Sequence, residues 1–194
     1  MIDLYFFYEM FEAYVLMWKN LLGAHYALAL ETPKPLIIFL TGIFPQSASV
    51  FIMPVLFGSW FCAMVCLARA LKCSYWYGAA AALGCILCNG QVLPYYLPYG
   101  FSLWPMIYLP LMFWCAVFFF RRCYAWAFIC LFLAGLLRPD AWLMAAVLLI
   151  FLKWRKEKIR LIYFLPFVAP IIWMLIDYRV SGDWLFSAHI TAQY

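Results

Sequence analysis

Long apolar runs, separated by short charged segments, make up most of this 194-residue chain. A run of about 20 apolar residues is long enough to cross a bilayer as a helix. Only 11% of the residues are charged, whereas a soluble domain usually has about 25%. The chain therefore has too few polar side chains for an ordinary soluble fold, and it is too hydrophobic to be disordered. Six runs can be marked, at 48–68, 75–92, 101–120, 123–137, 141–152 and 161–177.

These runs predict an all-α fold, a polytopic membrane helical bundle with about six membrane helices. The runs at 123–137 and 141–152 are short, because at about 1.5 Å per residue neither crosses a hydrocarbon core about 30 Å thick. They meet at Arg138-Pro139-Asp140, and proline disfavours helix in the residue before it. The two runs therefore form either a hairpin of two short helices or one long helix broken at Pro139.

The distribution of charge favours the hairpin, because only a hairpin puts Arg121, Arg122 and the basic loop 153–160 on the same side. With Arg69 and Lys72 added, that side holds nine of the 13 basic residues and one of the eight acidic residues. Cytoplasmic loops of membrane proteins carry such an excess of Lys and Arg. We therefore expect an integral multi-pass protein of the bacterial plasma membrane, with the basic loops cytoplasmic and the other acids outside.

The whole chain is predicted to be one domain with three parts: an outer-face segment (1–47), the membrane helices (48–177) and an outer-face tail (178–194). Within the first part, the apolar spacing over 4–19 fits an amphipathic helix lying in the outer interface. Residues 35–44 predict a second, short apolar helix of this kind. The basic residues lie between apolar runs and do not cluster on a wet face, so a nucleic-acid partner is not expected.

An acidic group near the start of the chain is one candidate for chemistry. Asp3, Glu9 and Glu12 accompany an apolar, aromatic stretch, where a carboxylate could act as a general base. The alternative is that they form the solvated polar face of an interfacial helix. A divalent cation could also bind these carboxylates, but their spacing is not diagnostic and the sequence has no metal-binding motif.

Two cations at the ends of apolar runs are further candidates, since charged groups near a membrane are costly to place. Lys34 lies between two prolines in TPKPL, and lysine is a good point-charge partner for phosphate. Arg138, in LLRPDAW, could hold phosphate through its planar fork. The alternatives are a lysine that extends to the interface at a helix start, and an Arg138–Asp140 pair that caps a helix turn.

Two polar segments complete the outer face. The loop at 93–100 contains Tyr95 and Tyr96, and such tyrosines favour the membrane–water interface. The segment from Asp177 to Trp184 mixes charges after the last apolar run, and we interpret it as a turn that anchors the chain.

The order of these features resembles the GT-C class of membrane glycosyltransferases. The resemblance is to the group that contains the protein O-mannosyltransferases and the lipid A aminoarabinose transferase. It rests on an acid in an outer amphipathic segment, the KP motif of TPKPL, the R-P-acid turn of GLLRPDAW, the basic loop, and the D…SGD pattern that follows the next helix. Members of this group normally begin with a membrane helix before the acid and are much longer, so the resemblance implies that this chain is truncated or reduced.

The resemblance implies a reaction and a site for it. The donor is a polyprenyl-phosphate-linked sugar, and the acceptor is a hydroxyl of a lipid, glycan or protein at the outer face. Asp3 matches the catalytic base by position, with Glu9 as the second choice, and transfer inverts the anomeric carbon. Lys34 and Arg138 match the groups that bind the donor phosphate. We expect the remaining candidates to support the site: Glu12, Asp140, Tyr95 and Tyr96.

Non-catalytic functions are the alternative expectation. A transporter piece would favour internal repeats and polar residues at the bilayer midplane, and the sequence has neither. An assembly subunit or a lipid-carrier binding module stays open. Convergence of Asp3, Lys34 and Arg138 at one outward site would favour the enzyme, and their separation would argue against it.

Overall fold

A computed structural model describes residues 34–43, 49–84 and 103–192 of the chain, and all regular structure in these ranges is helical. The all-α prediction is therefore confirmed for this part of the chain. In chain order, the elements are α1 (Pro35–Ile43), α2 (Ser49–Ala70), α3 (75–84), α4 (Leu103–Phe120), α5 (Tyr124–Gly135), α6 (Asp140–Trp154), a 3₁₀ helix (Leu161–Val168) that continues into α7 (Ala169–Ser181), and α8 (Phe186–Ala192).

The two short runs on either side of Pro139 form the hairpin that the charge distribution predicted. Helix α5 ends where the N–H groups of Leu137 and Arg138 both donate to the Ala134 carbonyl, each at 2.9 Å. Pro139 then stands immediately before α6, where its missing N–H removes no helical hydrogen bond. The alternative of one long helix broken at Pro139 is wrong, because α5 and α6 pack against each other.

Helix α5 is the centre of the bundle, in contact with α4, with α6 and with the 3₁₀ helix. Its buried face carries Ala127, Phe128, Leu131 and Ala134, none of which has any exposed area. The ring of Phe128 stacks on that of Tyr163 in the 3₁₀ helix, with centroids 4.9 Å apart. Small residues on such a face let helix backbones approach closely.

Three of the helices end in the same way, at a basic residue with a left-handed backbone. The φ angles of Lys72, Arg122 and Lys156 are 62°, 61° and 56°. After α4, for example, the N–H of Arg122 donates to Phe119 O at 3.0 Å and that of Cys123 to Phe118 O at 2.8 Å. This pair of bonds is the Schellman motif, and a cation beside a helix C-terminus is favourable for the helix dipole. The turns therefore fix basic side chains at these helix ends.

Helix α1 is the short helix expected over 35–44, but it is not an independent helix lying in the interface. Ile37 and Ile38 are buried among the core residues, at 1% and 0% exposure. The Leu36 N–H donates to the Leu136 carbonyl at 3.3 Å, which ties α1 to the turn between α5 and α6. The apolar side chains that suggested contact with lipid are used for packing on the bundle.

One helical segment in the described ranges is long and apolar enough to cross a membrane, the 21 residues of Leu161–Ser181. It was predicted as a run over 161–177, and it differs in two ways. Its first eight residues are 3₁₀, and neither Pro166 among them nor Pro170 in the first turn of α7 supplies a backbone N–H. It also extends through Asp177 to Ser181, four residues into the expected tail. Shorter apolar segments lie within α2, α4 and α5, and the total of about six membrane helices stays a prediction.

Helix α6 presents an apolar stripe to the outside of the bundle. Leu143, Val147, Ile150 and Trp154 are 72%, 58%, 69% and 79% exposed. Their spacing of three to four residues puts them on one face of the helix. A continuous exposed apolar face of this kind marks contact with a membrane or another protein. The expected interfacial helix over 4–19 lies outside the described residues.

Candidate functional site

The turn between α5 and α6 is the place where the candidate cations meet the rest of the bundle. The carbonyl of Gly135, the last residue of α5, accepts two indole hydrogen bonds. Trp173 of α7 donates at 2.8 Å and Trp142 of α6 at 3.1 Å. A Cβ on Gly135 would lie 2.7 Å from two atoms of the Trp142 ring. Only glycine leaves room for this arrangement, which fixes the turn against both neighbouring helices.

Lys34 lies on the α7 side of this turn. Its ammonium is 5.4 Å from the centroid of the Trp173 ring, within the range of a cation–π interaction. The hydrogen bond from Leu36 to Leu136 holds the backbone of the KP motif in place beside it. Asp177, one turn beyond Trp173 on α7, is close enough to interact electrostatically with Lys34. Trp173 and Asp177 of α7 are thus the neighbours of this lysine in the bundle.

Arg138 lies on the α4 side of the same turn. Its Nε donates to Asp140 Oδ1 at 3.1 Å, and its guanidinium carbon is 5.6 Å from the Tyr108 ring centroid. The Tyr108 hydroxyl donates to the other carboxylate oxygen of Asp140 at 3.0 Å. Both charged side chains are about half exposed, at 45% and 47%. The Arg138–Asp140 pair of the alternative interpretation is therefore present, and Tyr108 orients it.

Asp177 is a buried carboxylate, 4% exposed, with defined partners. Its two oxygens accept hydrogen bonds from the Ser187 N–H at 3.0 Å and the Ser187 hydroxyl at 2.7 Å. Because Ser187 is in the first turn of α8, the carboxylate caps that helix. Gly182, with φ of 78°, turns the chain between α7 and α8. The predicted turn is therefore present at Gly182, while the segment up to Ser181 is helical.

Asp183 completes this turn at the surface. One oxygen accepts the Leu185 N–H at 3.0 Å, and the other lies 2.6 Å from His189 Nδ1. The backbone hydrogen bond from Leu185, followed by the His189 contact, holds the pKa of Asp183 below its usual value. The turn after α7 therefore depends on an ionised carboxylate.

The structure thus brings part of the predicted site together. Lys34, Arg138 and Asp140 lie at the same end of the bundle, around the turn that begins at Gly135. The other predicted residues lie outside the described ranges: Asp3, Glu9, Glu12, Tyr95 and Tyr96. Among the residues that are described, no group of three His, Cys, Asp or Glu side chains is placed to hold a metal ion.

Sequence reasoning missed Tyr108 and Trp173, which support this site, and it interpreted Asp177 only as the start of an anchoring turn. A signal existed for Asp177, because an acid at the end of an apolar run is a candidate for function. Aromatic residues near run ends are common in membrane proteins, so Tyr108 and Trp173 carry no comparable signal.

Comparison of the chain with known protein families, with curated proteins and with solved structures finds no match in any of the three. The resemblance to membrane glycosyltransferases therefore rests on the motifs of the sequence.

Proposed function

We propose that this chain is the membrane core of a GT-C-type glycosyltransferase. It would transfer a sugar from a polyprenyl-phosphate donor to an acceptor hydroxyl at the outer face of the membrane. One observation carries the proposal. Lys34 and Arg138, which are 104 positions apart in the sequence, lie on two sides of one turn at one end of the bundle.

The chemistry of these two cations suits a lipid phosphate. Lysine supplies a compact point charge, and arginine supplies five N–H donors in a rigid fork. Asp140 accepts from Arg138 Nε, so it acts as a positioning residue for the guanidinium plane. Trp173 and Tyr108 are buried and support the two cations from within the bundle. Fixed positive charges near the phosphate would stabilise the negative charge that develops on it as it leaves.

The reaction is a direct displacement at the anomeric carbon. The acceptor oxygen forms a bond to that carbon, the bond to the phosphate oxygen breaks, and the polyprenyl phosphate leaves. The acceptor proton passes to a carboxylate, a role that the resemblance gives to Asp3 or Glu9. Attack from the side opposite the leaving phosphate inverts the anomeric configuration.

A membrane location fits the distribution of exposed residues. The apolar stripe on α6 and the exposed Ile171, Met174 and Leu175 on α7 would face lipid. The Lys34 and Arg138 end is opposite the end that carries Arg122 and the basic loop 153–160. The excess of basic residues there supports an orientation with that end cytoplasmic and the donor site external. We propose on this basis a multi-pass protein of the bacterial plasma membrane.

The proposal is tested with the full chain purified in detergent and reconstituted in liposomes. Binding of undecaprenyl phosphate is measured by native mass spectrometry. Sugar transfer is measured from undecaprenyl-phosphate hexoses to a membrane extract. Lys34→Ala and Arg138→Ala should each abolish transfer and weaken carrier binding by about tenfold or more, since a hydrogen bond to a charged group contributes about 1.5–3 kcal/mol.

Arg121→Ala and Lys153→Ala are matched controls, because they remove exposed cations from the opposite end of the bundle. These two variants should leave carrier binding and sugar transfer unchanged. All four variants should keep the wild-type circular dichroism spectrum. Wild-type transfer rates in the Lys34 and Arg138 variants would overturn the assignment. Carrier binding without transfer to any acceptor would identify a lipid-carrier binding module instead.

A further inference from the structure

A cleft at the basic end of the bundle is separate from the proposed donor site. Its volume is about 440 Å³, within the range of about 300–1,000 Å³ that is typical of ligand pockets. It lies between the start of α5 and the segment that leads from α6 into the 3₁₀ helix. Because α5 runs from this cleft to Gly135, its 12 residues separate the two places by about 18 Å.

The cleft is lined by three cations and one acid. Arg122 comes from the turn after α4, and Lys158, Arg160 and Glu157 come from the loop after α6. Within the described ranges, the ion pairs are Arg138–Asp140 and His189–Asp183, both of which lie away from this cleft. None of the three cations forms an ion pair with Glu157, whose single negative charge leaves the cleft with a net charge of +2. An external anion would therefore be attracted to it.

The backbone of Arg122 is fixed before any ligand binds. The Schellman turn holds its backbone at φ 61°, and its N–H is bonded to Phe119 O. Arg160 is fixed from the other side, where the extended backbone at this residue leads into the 3₁₀ helix. Cations whose backbones are held on two separate elements can contact a phosphate from two sides.

The surroundings of the cleft favour a lipid over a soluble anion. Trp126, which lines the cleft, is 58% exposed, and Leu161, next to Arg160, is 89% exposed. Tryptophan beside exposed apolar side chains is typical of the level of lipid head groups. Basic pockets between helices on the cytoplasmic side bind anionic head groups. We infer that this cleft binds the phosphate head group of an anionic phospholipid of the cytoplasmic leaflet, with the acyl chains along the exposed apolar side chains.

The test uses the full chain in detergent and compares two triple variants with equal loss of charge. The cleft variant is Arg122→Asn, Lys158→Gln and Arg160→Gln. The control variant is Lys156→Asn, Lys153→Gln and Arg121→Gln, none of which lines the cleft. Arg122 and Lys156 are a matched pair, because both have a left-handed backbone that asparagine tolerates.

Native mass spectrometry gives the affinity for dioleoyl phosphatidylglycerol, for dioleoyl phosphatidylcholine and for inorganic phosphate. We expect the wild type to prefer phosphatidylglycerol over phosphatidylcholine by at least about tenfold. One basic residue near an anionic surface changes affinity by roughly fivefold. The cleft variant should therefore lose the preference, and the control variant should keep most of it. A circular dichroism melt establishes that each variant is folded, and the single variant Arg160→Gln replaces the triple variant if that does not fold.

Three results would overturn the inference. One is an equal loss in both variants, which would mean that charge is spread over the whole end of the bundle. Another is equal binding of the two lipids by the wild type. The third is displacement of phosphatidylglycerol by millimolar inorganic phosphate, which would mean a site for a soluble anion. None of these results bears on sugar transfer, so the inference and the proposed function fail separately.

Discussion

Gly135→Ala is expected to destabilise the protein through the turn that carries the candidate site. The added methyl would lie 2.7 Å from Trp142 Cδ1 and Nε1 and 3.3 Å from Ala169 Cβ. The indole must then move, which breaks its hydrogen bond to the Gly135 carbonyl and its edge-to-face contact with Trp173. Overpacking of this kind costs about 1–3 kcal/mol, and alanine recovers at most about 1 kcal/mol of helix propensity.

The matched control is Gly58→Ala in α2, where an added Cβ meets nothing within 4 Å. That variant should be unchanged or stabilised by up to about 1 kcal/mol. Gly78→Ala is a second control that should destabilise the protein. Its Cβ would lie 2.7 Å from a backbone oxygen of Met64, which cannot rotate away. Unfolding in mixed micelles with increasing sodium dodecyl sulfate, followed by circular dichroism, gives the free energies.

A double-mutant cycle tests the physical reason directly. In the Trp142→Ala background the nearest clashing atoms are absent, so most of the penalty for Gly135→Ala should disappear. Carrier binding should fall with Gly135→Ala alone, because the same turn positions Arg138. Two results would refute the packing argument. One is a Gly135→Ala variant as stable as Gly58→Ala, and the other is an unchanged loss of unfolding free energy for Gly135→Ala in the Trp142→Ala background.

Two further predictions concern the turn after α7. Asp177→Ala should destabilise the protein by about 0.5–2 kcal/mol, because the partly buried N–H and hydroxyl of Ser187 lose the carboxylate that caps α8. Micelle unfolding measures this loss, and Asp183→Ala, at an exposed carboxylate, should have a smaller effect. The contribution of Asp183 depends on pH. Because its folded pKa is lowered, this contribution is complete above about pH 4, the usual value for Asp, and is lost as the pH falls through the folded pKa. The protection factor of the Leu185 amide, the ratio of its intrinsic exchange rate to its observed rate at the same pH, should therefore fall as Asp183 is protonated. Asp183→Asn should remove this pH dependence of the protection factor, and its persistence in that variant would contradict the assignment.

Local sequence patterns were sufficient for α1 and for the hairpin of α5 and α6, but not for the 3₁₀ segment Leu161–Val168 or for helix α8 within the expected tail. The hairpin at Pro139 followed from two short apolar runs and from the need to put Arg121, Arg122 and the basic loop on one side. Helix α1 followed from its apolar residues between prolines. The packing of α1 on the bundle could not be predicted, because a periodic pattern cannot distinguish a face that contacts lipid from one that packs on protein.

Contacts between residues far apart in the chain could not be predicted in this way. The Asp140–Tyr108 bond spans 32 positions and the Trp173–Gly135 bond spans 38. Each depends on which helices become neighbours, and apolar runs of similar length and composition leave that choice open. The same holds for the cleft, whose two sides come from the start of α5 and from the loop after α6.

The sequence by itself determined that this chain is apolar and helical, and it identified Lys34 and Arg138 as charges with an unusual local setting. It did so because hydrophobicity, proline and charge act within a few residues. Only the tertiary structure decided that these two cations share one turn, and that Gly135 leaves room for the indoles that fix it. Packing between distant segments sets those distances, and no local pattern encodes it.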